Sequence, residues 1–217
     1  MLGFPRPKEK NPRRPLVTDD RFEKVRAVSD RVMMVRGRGE TKREERSYLS
    51  EVLDLAHGTG RRISAILALR HEDVRMDGGE PVAIRWPADT DNTGKESLVP
   101  IDTEVRAAID RILVDRPLIG KAYLFPAIND PSKPVAKETV SQWLVRAETL
   151  AGVEKQDGSL WHAYRRGWAT ARKHLPVQDV MAAGGWSEPT TLQTCYQQAD
   201  RETMYRVVCE PANLREA

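Results

Sequence analysis

Nearly every apolar run in this chain has the three- and four-residue spacing of a helix, and the strand-like exception is only long enough for one hairpin. Thr18 followed by Asp19 and Asp20 is an N-cap with an acidic first turn, predicting a helix that carries Phe22, Val25, Val28, Val32 and Met33 and stops at Gly37 and Gly39. A second helix is predicted over residues 41–57, with Tyr48, Leu49, Val52, Leu53 and Ala56 in register and Gly58 behind it. Ile63, Ile66, Leu67 and Leu69 line a third. After Gly78 and Gly79 the texture changes: VAIRW (residues 82–86) and SLVPI (residues 97–101) read as strands around the turn-rich ADTDNTGKE. Helices resume over residues 104–114, 137–150, 164–174, 177–183 and 201–208. The expected fold is mainly α with a small antiparallel β-sheet, without internal repeats. At 217 residues, 40% of them hydrophobic, the chain can bury a core of its own.

Charge points to the kind of partner. The formal net charge is only +3, yet residues 1–62 hold 16 Lys and Arg against 10 Asp and Glu, which suits a polyanion as well as it suits a solvated basic face. Residues 1–17 interleave Pro5, Pro7, Pro12 and Pro15 with Arg6, Lys8, Lys10, Arg13 and Arg14, a composition that excludes helix and predicts an extended basic arm. Cys195 and Cys209 form no CxxC and no disulfide framework, so a reducing cytoplasm is the expected compartment, with no metal site from these thiols. There is no apolar signal segment and no run of eighteen apolar residues, so neither export nor a membrane partner is expected.

Two short segments carry residues suited to phosphate. In TGRRIS (residues 59–64), Arg62 follows Gly60 at an expected helix start, where a guanidinium offers a planar fork to two phosphate oxygens, while its neighbour Arg61 is expected to point elsewhere. In HAYRRGWAT (residues 162–170), His162 and Arg165 stand three apart and can share one helix face. Either segment alone is a weak signal.

Taken in order with GGWSEPTT (residues 184–191) and Tyr196, these segments resemble the catalytic domain of the tyrosine recombinase (phage integrase) family, whose site is built from TGxR, HxxR, a GH or GW, and a tyrosine soon after. Gly167, Ala169 and Thr170 continue the family's HxLRRTxAT signature. The resemblance divides the chain into an arm or linker at residues 1–17 and a catalytic domain at residues 18–217, with the family's N-terminal clamp domain absent from this sequence. A fragment and a free-standing catalytic domain both fit.

What the resemblance implies is site-specific DNA recombination or integration through a 3′-phosphotyrosyl intermediate, without metal or other cofactor. Tyr196 is the implied nucleophile, one residue farther from Trp186 than in the commonest family spacing; Tyr205 is expected to pack its helix down instead. Arg62 and Arg165 are implied to stabilise the pentacoordinate transition state, and His162 to move or position a proton at Tyr196. Trp186 stands where most members have histidine; its indole N–H can donate to phosphate, and packing of the site floor is the other reading. Cys195 is expected to be a small buried residue. The general acid comes from the hairpin turn in the family: the commoner register falls on Asn92, which cannot serve, and a shifted register selects Lys95. Ala65 replaces a usual acidic residue.

The implied partners are double-stranded DNA and, on DNA, a homotetramer assembled through the last helix; docking of that helix on its own domain fits the pattern equally. No small-molecule substrate is implied, and the expected setting is a bacterial or phage-encoded protein at the nucleoid. A type IB topoisomerase, which uses a similar constellation to relax DNA, and a DNA-binding domain that has lost its chemistry are the alternatives.

Overall fold

The computed structural model describes residues 14–37, 39–90, 94–117, 119–156 and 160–213. Most of the proline-rich arm, and with it Asn92 of the hairpin turn, lies outside the described residues. The last residues of the arm run without regular structure against the helix that carries His162: Val17 N–H donates to Ala163 C=O at 3.0 Å, and Arg166 Nε donates to Pro15 C=O at 2.7 Å.

The fold is built around α2 (Leu49–Thr59), whose Leu49, Val52, Leu53 and Leu55 are fully buried. Around it pack α1 (Asp19–Ser29), α4 (Thr103–Asp115), α5 (Lys137–Leu150) and α6 (Leu160–Ala171). Short α3 (Ile63–Leu67) follows α2 directly, and α7 (Val177–Gly184), α8 (Pro189–Thr191) and α9 (Arg201–Asn213) are the remaining α-helices among the described residues. Side-chain caps start α1 and α4: Thr18 accepts from Arg21 N–H and Asp102 from Val105 N–H.

Among the described residues there are two sheets where one hairpin was expected. β1 (Met33–Arg36) pairs antiparallel with β2 (Arg43–Arg46), and β3 (Val74–Asp77), β4 (Glu80–Trp86) and β5 (Ser97–Pro100) form a three-stranded antiparallel meander. The first expected helix therefore ends at Ser29 and the second begins at Leu49. From Val32 to Val35 burial alternates, Val32 and Met34 inside and Met33 and Val35 outside, so the side chains follow the two-residue period of a strand. In the meander, Gly78 and Gly79, at φ of 56° and 89°, form the tight turn that returns β3 onto β4. The sixth helix starts at Leu160, ahead of the expected Tyr164, and so takes in His162.

Besides the main core, a second cluster joins Trp168, Ala169, Val180, Trp186 and Leu192, with Tyr196, Met181 and Ala183 partly buried against it. It forms the floor of the candidate site.

Candidate active site

The C-terminus of α7 gathers the arginines. Four successive carbonyls at this helix end, from residues 182–185, accept from three guanidinium groups, satisfying groups the helix leaves without internal partners and placing cations at its negative pole. Arg61, 3% exposed, donates from Nε to Ala183 C=O and from Nη2 to Ala182 C=O, both at 2.8 Å, and from Nη2 to Ser97 Oγ at 2.9 Å. Arg165, 2% exposed, donates from Nη1 to Gly60 C=O at 2.6 Å and Gly184 C=O at 2.5 Å, and from Nη2 to Gly185 C=O at 3.1 Å. Arg62, half-buried at the N-cap of α3, reaches Gly185 C=O at 3.4 Å. Arg61, expected to point elsewhere, instead joins Arg62 and Arg165 at this helix end, where it is a girder that binds β5 to the site.

Aromatic rings hold Arg165 from one side. Its guanidinium lies 3.5 Å from the Trp186 ring centre; Trp186 stacks on Trp168 at 5.9 Å and 21°; and Arg172 covers the far face of that pair, 4.4 Å from Trp168. Trp168 is fixed by donation from Nε1 to Gly58 C=O at 2.9 Å. Close packing requires glycine at two of the contact points: a Cβ on Gly60 would fall 2.3 Å from Trp168, and one on Gly184 would fall 2.0 Å from Trp186. Gly60 also turns the chain between α2 and α3 at φ 62°. Trp186 is 4% exposed, and its indole N–H is buried without a hydrogen-bond partner among the described residues. The packing reading of this tryptophan is what the structure shows, and its indole N–H is left as a donor within the floor.

Tyr196 completes the arrangement. Its hydroxyl is 3.2 Å from His162 Nδ1, its ring meets the Trp186 edge at 5.1 Å and 73°, and Arg165 lies 5.3 Å from the ring centre. Burial holds the His162 imidazolium below its ordinary pKa, helped by the positive charges of Arg166, Arg165, Lys137 and Arg62. The shift favours the neutral ring, whose Nε2–H tautomer would present Nδ1 as an acceptor to the tyrosine hydroxyl.

The route to Tyr196 explains its long spacing from Trp186. α8 runs straight into a π-helical turn over Leu192–Tyr196, closed by Gln197 N–H to Leu192 C=O at 3.0 Å. Such a turn takes up one more residue than an α turn, which matches the extra residue in this chain. The turn leaves Cys195 exposed, contrary to the expectation that it is buried. Tyr205, expected to pack its helix down, is 69% exposed on α9, where Met204, Val207 and Val208 are exposed as well.

Of the six sequence-chosen residues, Arg62, His162, Arg165, Trp186 and Tyr196 converge. Lys95 is exposed, two residues before the Ser97 that Arg61 holds. Sequence reasoning gave no role to Trp168 or Thr170; both lie on α6, and the available signals were the eight-residue spacing from His162 to Thr170 and the three-residue spacing from Arg165 to Trp168. Among the described residues no group of three His, Cys, Asp or Glu side chains could hold a metal ion, and no helix is long and apolar enough to cross a membrane.

Residues 33–202 match the model of the phage integrase family. No curated protein matches the chain. Among solved structures, XerA recombinase is similar at TM-score 0.68 and 16% identity over 94% of this chain and 65% of that one. XerH site-specific recombinase, in a post-cleavage complex with a palindromic difH substrate, is similar at TM-score 0.68 and 18% identity over 89% of this chain and 51% of that one. A lambda integrase dimer bound to a COC′ core site gives TM-score 0.63 and 18% identity over 88% and 49%. The chain spans between about half and two thirds of the length of these proteins.

Proposed function

This chain belongs to the phage integrase family of tyrosine recombinases, and on that premise we propose that it cleaves and rejoins double-stranded DNA at specific sites through a covalent bond to Tyr196. The observation that carries the reading is the 3.2 Å contact between the Tyr196 hydroxyl and a neutral His162, set beside Arg62 and Arg165.

In the proposed reaction the Tyr196 oxygen attacks the scissile phosphorus while His162 Nδ1 takes the phenolic proton. The P–O bond to the 5′ oxygen breaks, leaving a 3′-phosphotyrosyl ester, and Lys95 gives that oxygen its proton. The negative charge that grows on the non-bridging oxygens is met by Arg62, by the field of Arg165 and by the buried indole N–H of Trp186. The ester conserves the phosphodiester's energy, so a 5′ hydroxyl from a second duplex can displace Tyr196 without ATP. Strand exchange requires more than one protomer. The exposed Met204, Tyr205, Val207 and Val208 of α9 offer an apolar surface for docking on a neighbour, and a homotetramer on two duplexes is the assembly we propose. Double-stranded DNA is the proposed partner, in the cytoplasm.

The test is covalent capture on nicked suicide duplexes drawn from a randomised pool, in chelator, resolved on a denaturing gel. An adduct that Tyr196→Phe abolishes supports the reading. Retained DNA binding with no adduct contradicts it.

A further inference from the structure

The nucleophile is gripped at two points by one helix. Eight residues after His162, which meets the phenolic oxygen, α6 presents Thr170, whose hydroxyl donates to Tyr196 C=O at 3.1 Å and accepts from Gln198 N–H at 3.2 Å. Those residues are two turns apart, about 12 Å along the axis. The single hydroxyl therefore serves Tyr196 C=O, which the end of the π turn leaves without a helical partner, and the amide two residues beyond it. Lys173, one turn farther along, donates to Gln198 C=O at 3.4 Å and pairs with Asp200, whose carboxylate also accepts from Thr203 N–H at 2.7 Å at the start of α9.

A π turn is wider than an α turn and less favourable in isolation, so its register has to be set by tertiary contacts. Slipping back to α register would swing the Tyr196 side chain about 100° around the axis, away from His162. The hydroxyl bridge opposes that slip, because Tyr196 C=O and Gln198 N–H meet Thr170 Oγ1 together only in the observed register.

We propose that Thr170 is a positioning residue for the nucleophile: its hydroxyl fixes the backbone on both sides of Tyr196 and so holds the phenolic oxygen at His162. This rests on the reading of Tyr196 as the attacking group. The Thr170 hydroxyl is bonded to main-chain groups beside Tyr196, and it acts through that main chain. Because a displacement of about 1 Å at a reacting atom costs on the order of a hundredfold in rate, loss of the bridge slows cleavage while leaving the arginines and the DNA-binding surface intact.

The experiment compares Thr170→Val, which keeps the shape and removes the hydroxyl, with Thr170→Ser, which keeps the hydroxyl. On the duplex sequence that the parent captures best, Thr170→Val should form adduct about a hundredfold more slowly at saturating DNA, with its dissociation constant within about twofold of the parent, and Thr170→Ser should recover most of the rate. Equal rates for parent and Thr170→Val overturn the proposal, and so do equally slow Val and Ser variants. A second readout is independent of catalysis: in protein with ¹³C-labelled Tyr and His rings, the nuclear Overhauser contact between Tyr196 and His162 should persist in Thr170→Ser and weaken in Thr170→Val. A parental contact in the Val variant overturns the positioning role. Absence of adduct in the parent contradicts the proposed function, and the ring contact still decides what Thr170 does.

Discussion

The two sides of the scissile bond would be served by very different parts of the molecule. The attacking side is assembled in the protein alone: His162, Arg165, Trp168 and Thr170 stand on one helix, and Arg165 is hydrogen-bonded to three backbone carbonyls and stacked on a tryptophan. The leaving-group side would rest on Lys95, exposed beside a hairpin turn, one residue before the Glu96 that pairs with Arg85 and two before the Ser97 that Arg61 holds. Buried, hydrogen-bonded groups are preorganised and have little reorganisation left to do on reaction; in the proposed complex the exposed lysine would take its place once DNA covered it. If the proposed roles hold, the comparison teaches that attack would be limited by the fold and departure by the DNA.

Lys95→Ala breaks the comparison most sharply. It should slow cleavage of an ordinary duplex about 10²- to 10⁴-fold, the usual worth of a general acid. A duplex with sulfur in place of the bridging 5′ oxygen has a leaving group that needs no proton, and on it the variant should match the parent. Gel kinetics on the two substrates check this. The sulfur should leave a defect on the attacking side uncorrected.

Arg62→Ala should cost about 10²- to 10³-fold on either substrate, since it removes charge from the phosphate itself. His162→Gln should cost less than the acid variant and carry a pH signature. With its pKa held below the ordinary imidazole value, the parent keeps a neutral acceptor at pH 6.5, so the acid limb of its rate profile lies below that point and should be absent from the variant.

The smallest effect is on stability. Burial also lowers the pKa of His71, with Arg116 contributing, so two histidines bind protons more readily unfolded than folded. Stability should therefore rise with pH up to the ordinary imidazole value and be lost as pH falls below it toward the folded pKa values. Thermal melts across that range should show the slope, reduced in His162→Gln.

How far the sequence could be read follows the same division. His162 and Arg165 could be paired from the sequence because a helix turns a three-residue spacing into a shared face, whereas Arg62 and Tyr196 were picked out by the order of the family motifs. Lys95 was harder, because a turn has no period to set its register. β1, β2 and β3 span four residues each, too few for alternation to stand out, and the REER of β2 carries charges that read equally well as helix surface. The exposure of Cys195 depends on the π turn, and that turn is held by Thr170 from another helix, a tertiary contact that local pattern does not contain. Tyr205 looked like a packing residue because helical apolar spacing says which face is apolar and not what covers it.

The most direct measurement of the central claim is peptide mapping of the covalent adduct. After capture on a suicide duplex, nuclease trimming and tryptic digestion, mass spectrometry should find the residual nucleotide on the peptide spanning residues 174–201, attached to Tyr196. A nucleotide on the peptide of residues 202–206, which carries Tyr205, would contradict the account, because the attacking group would then be one that the helix of His162 and Thr170 does not hold.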